Sequence, residues 1–245
     1  MRLINKIEEI IFPPSMYCIC CGKYIDKSRT YSLCDHCIRR MNFKMTCLRH
    51  LEESGYFNHA AAVMGYGIYE RQIIFGLKYN GYTYIARDIG DIFYDCLKKQ
   101  LEETGECPWF CSDVIVPVPI NKLKLKDRGF NQAEKMAVYL GKRTNIKVLG
   151  DGLERVKYTK AQRGLSEKER YINLDGAFRV NPLRVKQMAG KRVLLIDDIC
   201  TTGATALNCG RCLVDNGALE VNFLSLSSAR NKEHGLNSLQ ISNNK

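Results

Sequence analysis

Hydrophobic positions change their rhythm along this chain. Leu3, Ile4, Ile7, Ile10 and Ile11 recur at helical spacing and predict a short amphipathic first helix, which Pro13-Pro14 terminates. The stripe is short and its polar face is poor in Lys and Arg, which favours packing on its own protein over lying on a membrane. From Cys18 to Cys47 aliphatic residues thin out while Cys and basic residues crowd in, so this stretch cannot build much core without a staple. Past about Tyr56 the helical period returns, and residues 69–103 form a long helical pattern broken near Asn80-Gly81. Short apolar runs and helical stretches then alternate. Val114–Val118 predicts a buried strand, Gln132–Arg143 a helix, Arg192–Ile196 a second buried strand, Thr205–Asn216 the helix after it, and Val221–Leu226 a further strand. That alternation, with right-handed crossovers, predicts an α/β domain built on a mainly parallel sheet. Two units are expected, an N-terminal helix and cysteine module over 1–55 and the α/β domain over 56–245. The last residues, 237–245, read as a frayed tail.

Composition sharpens this picture. The 245 residues are 45% hydrophobic and 26% charged, enough apolar material for a real core, which excludes a disordered or fibrous chain. Lys and Arg outnumber Asp and Glu by 37 to 26, a formal net charge of +11, which favours polyanionic partners such as nucleic acid or phosphorylated small molecules. Lys6, Glu8 and Glu9 interrupt any signal-like apolar stretch, and no segment approaches the ~20 apolar residues of a spanning helix. A cytoplasmic protein with no membrane span is expected. In that setting the 12 cysteines point to free thiols and metal ligands rather than disulfides.

Cys18-x-x-Cys21 and Cys34-x-x-Cys37 are paired knuckles separated by a loop of zinc-ribbon length, and four thiolates close a tetrahedral site with no open position for chemistry. A structural zinc ion would supply the ordering energy this core-poor segment lacks. Cys20, His36, Cys47 and His50 compete for a ligand position. A redox role would explain only one of the two Cys-x-x-Cys pairs.

The densest chemistry lies at Gly190–Thr205. A continuous apolar strand delivers Asp197 and Asp198 to its carboxyl end, where ligands bind in open parallel sheets. Adjacent carboxylates there need a cationic or hydroxyl-bearing partner. The following Thr201-Thr202-Gly203-Ala204-Thr205 offers hydroxyls, close backbone approach and a helix amino end, a cradle for phosphate. Acids beside a phosphate cradle suit a ribose phosphate. Neither G-x-x-x-x-G-K-[ST] nor G-x-G-x-x-G occurs.

At these residues the chain resembles the type I phosphoribosyltransferases, whose phosphoribosyl pyrophosphate (PRPP) motif is an apolar strand, two acids and a Thr-Thr-Gly-x-Thr-like loop. The resemblance implies that Asp197 and Asp198 meet the ribose hydroxyls as the catalytic pair, that Thr201, Thr202, Gly203, Ala204 and Thr205 hold the 5′-phosphate, and that Mg²⁺ comes with PRPP. Val116-Pro-Val-Pro119, Arg128-Gly-Phe-Asn-Gln-Ala133, Thr159-x-x-Gln162, Arg170-x-x-Asn173, Ala177-Phe178, Leu77-Lys-Tyr79 and the cysteine ribbon together resemble the ComF family of competence-associated proteins, from Cys18 to about Arg230. That resemblance implies a type I phosphoribosyltransferase-like parallel sheet flanked by helices, with a small N-terminal four-cysteine zinc ribbon. It also implies pyrophosphate near Pro117, Val118 and Pro119, a mobile loop within 155–178, and a role in DNA uptake beside competence machinery proteins. Arg128, Gln162 and Arg170 are the further pyrophosphate or mobile-loop candidates, because they fall in the matched motifs.

Between Asn121 and Arg170 there are fourteen Lys or Arg and six Asp or Glu, most of the chain's positive excess. Such a block can neutralise pyrophosphate, follow a single-stranded DNA backbone, or simply be solvated. Phe130, Tyr158 and Tyr171 lie among the charges and either stack on bases or pack. Cys200 sits inside the phosphate loop as a bystander, since phosphoribosyl transfer needs no protein nucleophile. Two function classes follow. One is a PRPP-binding module that handles single-stranded DNA in natural transformation; the other is an active phosphoribosyltransferase acting on a nitrogenous acceptor.

Overall fold

The computed structural model describes residues 16–26, 29–79, 85–157, 166, 169 and 172–229. The first amphipathic helix, Gln162, Arg170, Tyr158 and Tyr171 lie outside the described residues. The elements run α1 (Asp35–Ile38), β1 (Thr46–Cys47), α2 (Arg49–Glu52), β2 (His59–Met64), α3 (Ile68–Tyr79), α4 (Ile85–Thr104), a 3₁₀ turn (Pro108–Cys111), and β3 (Val114–Pro117). They continue with α5 (Lys122–Arg128), α6 (Gln132–Thr144), β4 (Lys147–Val148), β5 (Leu153–Arg155), β6 (Phe178–Val180), α7 (Val185–Met188), β7 (Arg192–Cys200), α8 (Ala204–Asp215) and β8 (Glu220–Ser228).

The central sheet has the order β1-β2-β8-β7-β3-β4. All its neighbours are parallel except the short edge pair β1–β2. The expected α/β architecture with a mostly parallel sheet is what forms. Side chains alternate across it. Ile115, Leu194, Ile196, Leu224 and Leu226 join the core beneath α3, α4 and α6, while Val114, Val116, Val193, Leu195, Val221 and Phe223 join the core beneath α2 and α8. Both faces are buried, which is why these strands read as unbroken apolar runs. Where α4 passes α6, a Cβ on Gly90 would lie 2.4 Å from the Tyr139 Cβ, so only glycine lets the two helices come this close.

Several elements go beyond the sequence reading. His59–Met64 is a buried strand pairing with β8, although its alanines carry little strand propensity. Lys122–Arg128 is a helix, capped by the Asn121 side chain accepting from the Leu123 N–H at 2.8 Å and closed by Gly129 at φ 77°. Leu153–Arg155 pairs antiparallel with Phe178–Val180 in a small separate sheet. The cysteine module docks on the helices of the α/β domain. Cys18, Ile19, Leu33 and Cys37 share one core with Ile73, Leu77 and Ile92, the Tyr31 hydroxyl donates to Asp95 at 2.5 Å, and the Ser32 N–H donates to buried Asp88 at 3.2 Å.

Candidate functional site

In chain order the parallel strands β3, β4, β7 and β8 stand in the sheet as β4-β3-β7-β8, so the winding direction reverses between β3 and β7. At such a reversal the carboxyl ends open a crevice in which ligands bind. Two of the sequence-selected segments meet there. β3 delivers Pro117, Val118 and Pro119, and β7 delivers Asp197 and Asp198, with Pro117 in register with Ile196. The turn after β3 is held from both sides: the Val118 N–H donates to the Ile196 carbonyl at 2.9 Å, and the Asn131 side-chain amide donates to the Val118 carbonyl at 3.0 Å. Asn131 also caps α6 by accepting from Ala133 N–H at 3.2 Å. Within the Arg-Gly-Phe-Asn-Gln-Ala motif, Arg128 donates to Gln132 Oε1 at 3.1 Å.

The two acids have different surroundings. Burial, and then the charge of Asp198, push the Asp197 carboxyl up to about 8; the Asp198 N–H, donating to Asp197 Oδ1 at 2.8 Å, and Lys78 act in the other direction. Asp198 pairs with Lys78 at 2.8 Å, with both side chains largely shielded from water. Lys78 lies on α3, in the Leu77-Lys-Tyr79 motif. Lys124 lies on the exposed helix α5. Its ammonium is pulled down by burial and then by the charges of Arg128, Arg155 and Lys78, while Asp198 acts in the other direction. Lys78 and Lys124 are therefore neighbours of the acid pair that spacing along the chain did not single out.

Thr201–Gly203 form the turn from β7 to α8, and together with Ala204 and Thr205 of the first helical turn, Asp197 and Phe223 they line one concavity. Gly203 sits at the amino end of α8 with φ +81°. A Cβ there would stand 2.5 Å from Leu51 and 3.1 Å from His50 Nε2, so α2 roofs the loop and brings in His50. Thr202 Oγ1 accepts a long bond of 3.5 Å from the Ala204 N–H. Cys200 is buried and turned into the core with Cys209.

The Cys18, Cys21, Cys34 and Cys37 sulfur atoms all lie within 4.8 Å of one another, with Cys21 and Cys34 Sγ 3.6 Å apart, and could hold a metal ion. A tetrahedron with ~2.3 Å metal–sulfur bonds has edges of about 3.8 Å, so the spacing fits. Burial pushes the Cys34 thiol up, but hydrogen bonds from the Cys37 backbone and neighbouring thiols outweigh it and bring it to about 7. The competing groups have other partners. Cys20 faces Gln72 Oε1 at 3.1 Å, Cys47 faces Glu52 at 3.1 Å, and His36 lies between Arg40 at 2.9 Å and Tyr69 at 3.4 Å.

No family model matches the chain. Among curated proteins it is 27% identical over 214 residues to competence protein F of Haemophilus influenzae, covering 86% of this chain and 90% of that protein. It is 26% identical to the DNA utilization protein YhgH of Escherichia coli, covering 83% and 86%. The chain is similar to competence proteins of the ComF type. The chain is also 32% identical over 105 residues to competence protein ComFC of Bacillus subtilis, covering 42% of this chain and 39% of that one. Solved structures similar to it include the glutamine PRPP amidotransferase of B. subtilis, 20% identical with TM-score 0.33 over 49% of this chain and 25% of that chain. Another is the orotate phosphoribosyltransferase of Aeropyrum pernix, 15% identical with TM-score 0.31 over 74% and 92%. These overlaps are loose, and the strand order above describes the fold on its own. The resemblance to the ComF family read from the motifs is thus borne out by these relatives. Among its described residues, no helix is long and apolar enough to cross a membrane.

Proposed function

We propose that this chain binds PRPP in the crevice between β3 and β7 and acts in the handling of incoming DNA during natural transformation. The observation that carries the first part is the meeting of the acid pair, the Thr-Thr-Gly-Ala-Thr loop and the Val-Pro turn at one sheet reversal. Asp197 and Asp198 accept hydrogen bonds from the ribose hydroxyls, the Thr201–Thr205 loop takes the 5′-phosphate, and the diphosphate lies towards Pro117–Pro119 and Arg128. Mg²⁺ bound with the diphosphate neutralises part of its charge. Gln162 and Arg170 are kept as mobile-loop residues on the strength of their motifs.

The second part rests on the relatives, which are named for competence and DNA utilization, and on the basic block over 121–170, which suits a single-stranded backbone. The four-cysteine cluster holds structural zinc, and its need for reduced thiolates suits the cytoplasm. Competence machinery proteins are the expected partners.

Calorimetric titration of PRPP with Mg²⁺ into the zinc-loaded protein tests the ligand. Micromolar binding that the Asp197→Asn, Asp198→Asn double variant loses supports the site; equal binding by both proteins overturns it. For DNA, affinity for a single-stranded oligonucleotide should fall steeply as salt rises, and a flat salt response would remove the phosphate-driven contact. Once binding is established, pyrophosphate release on screening nitrogenous acceptors separates an active transferase from a binding module.

A further inference from the structure

The Lys78–Asp198 ion pair sits on the carboxylate that the proposed ligand would use, and that raises the question of what becomes of Lys78. Its Nζ is 2.8 Å from Asp198 Oδ2, with the two side chains 18% and 14% exposed. A partly dehydrated ammonium that loses its carboxylate must find another anion, because an uncompensated buried charge is costly. Among the described residues, Lys78 has an ion pair with Asp198 alone. Lys124 lies in the same field, repelled by Arg128, Arg155 and Lys78 and attracted by Asp198. Asp197, the other acid of the pair, tends to hold its proton because it is buried and adjoins Asp198. Lys78 and Lys124 thus draw on an acid pair that carries less than its full charge. A neutral sugar would not correct that imbalance, but a diphosphate would.

We infer that Lys78 is a counter-ion that changes partner: it neutralises Asp198 in the free protein and passes to the diphosphate of the ligand when the ribose hydroxyls take Asp198. This rests on the phosphoribosyl reading above and adds to it a positioning residue for the diphosphate. The exchange keeps both carboxylate and ammonium satisfied in each state. It therefore favours a ligand that brings both halves, hydroxyls and diphosphate, over one that brings either alone. Lys78 stands in the last turn of α3, where the helix carboxyl end favours a cation, and its flexible stem lets the ammonium move while the helix stays in place.

The test is calorimetry with three ligands, each with Mg²⁺: PRPP, inorganic pyrophosphate and ribose 5-phosphate. Wild type is compared with Lys78→Met, which keeps the apolar stem, and Asp198→Asn, which frees Lys78; thermal melting verifies that both variants fold. Lys78→Met should weaken PRPP and pyrophosphate ~10–100-fold and leave ribose 5-phosphate within about threefold. Asp198→Asn should weaken ribose 5-phosphate yet bind pyrophosphate at least as tightly as wild type. If wild type binds PRPP and Lys78→Met binds PRPP and pyrophosphate equally well, the partner exchange is overturned while the PRPP site stands. Equal weakening of all three ligands by Lys78→Met also overturns it, because Lys78 would then be a structural counter-ion. If wild type binds none of the three, the phosphoribosyl reading falls, and the exchange with it.

Discussion

At the scale of single residues, two neighbouring carboxyls of one type behave differently because of what surrounds them. Asp197 has its carboxyl raised to about 8 by burial and by Asp198, whereas Asp198 has an ammonium at 2.8 Å. Because the folded pKa of Asp197 lies above its unfolded value near 4, the native chain holds a proton that the unfolded chain has released. Its contribution to stability is full below about pH 4 and is lost as pH rises towards 8. Urea denaturation at pH 5.5 and 8.5 should show a loss of about 3 kcal/mol on the alkaline side that Asp197→Asn removes. Asp88 and Glu134, also raised by burial, add to the wild-type slope, so the difference between the two proteins isolates Asp197. Gly203 is a second residue-scale case. Gly203→Ala places a Cβ 2.5 Å from Leu51 on a backbone of positive φ, and should cost about 1–3 kcal/mol in denaturation while weakening PRPP binding.

At the scale of elements, α6 and the turn after β3 are tied by one side chain. Asn131 donates to the Val118 carbonyl and caps the helix by accepting from Ala133 N–H. Asn131→Ala should lower stability by about 1–2 kcal/mol and weaken pyrophosphate binding, read by denaturation and calorimetry. Asn131→Asp keeps the cap but not the amide donor; it should recover much of the stability and little of the binding. The strand VIVP, the strand bearing Asp197 and Asp198 and the helices after them were legible from apolar runs and period alone. The strand His59–Met64 was not, since alanines become strand residues here by pairing with β8 and being buried. Helix α5 was hidden because alternating Lys and Leu matches neither a buried helix face nor an ordinary amphipathic one.

At the scale of the whole molecule, the cysteine module and the crevice share α3. Cys20 faces Gln72 of that helix at 3.1 Å, Cys18 and Cys37 pack in the same core as Ile73 and Leu77, and Lys78 follows at the end beside Asp198. Removing the metal should therefore do more than loosen the N-terminus. Chelation, or Cys34→Ser with Cys37→Ser, should lower the melting temperature and weaken PRPP binding several-fold, with metal content followed by a chromophoric chelator. Gln72→Ala, which leaves the four sulfurs intact, should reproduce a smaller part of the binding loss without metal release.

Composition and period by themselves determined the class of fold, because an unbroken apolar run must be buried on both faces and a run flanked by helices makes a parallel sheet. Residue types in sequence determined the thiolate quartet and the acid pair beside the Thr-Gly loop, since each Cys-x-x-Cys pair, and the acids with their loop, lie within a few residues. Groups that converge from distant segments were decided by tertiary structure. Nothing local in the sequence ties Lys78, Lys124 or His50 to the acid pair and its loop; they become neighbours of the site because the sheet reverses its winding between β3 and β7 and because α2 and α3 cross its carboxyl edge. Adjacency along the chain can be read directly, whereas adjacency across a sheet exists only once burial of both faces has set the strand order.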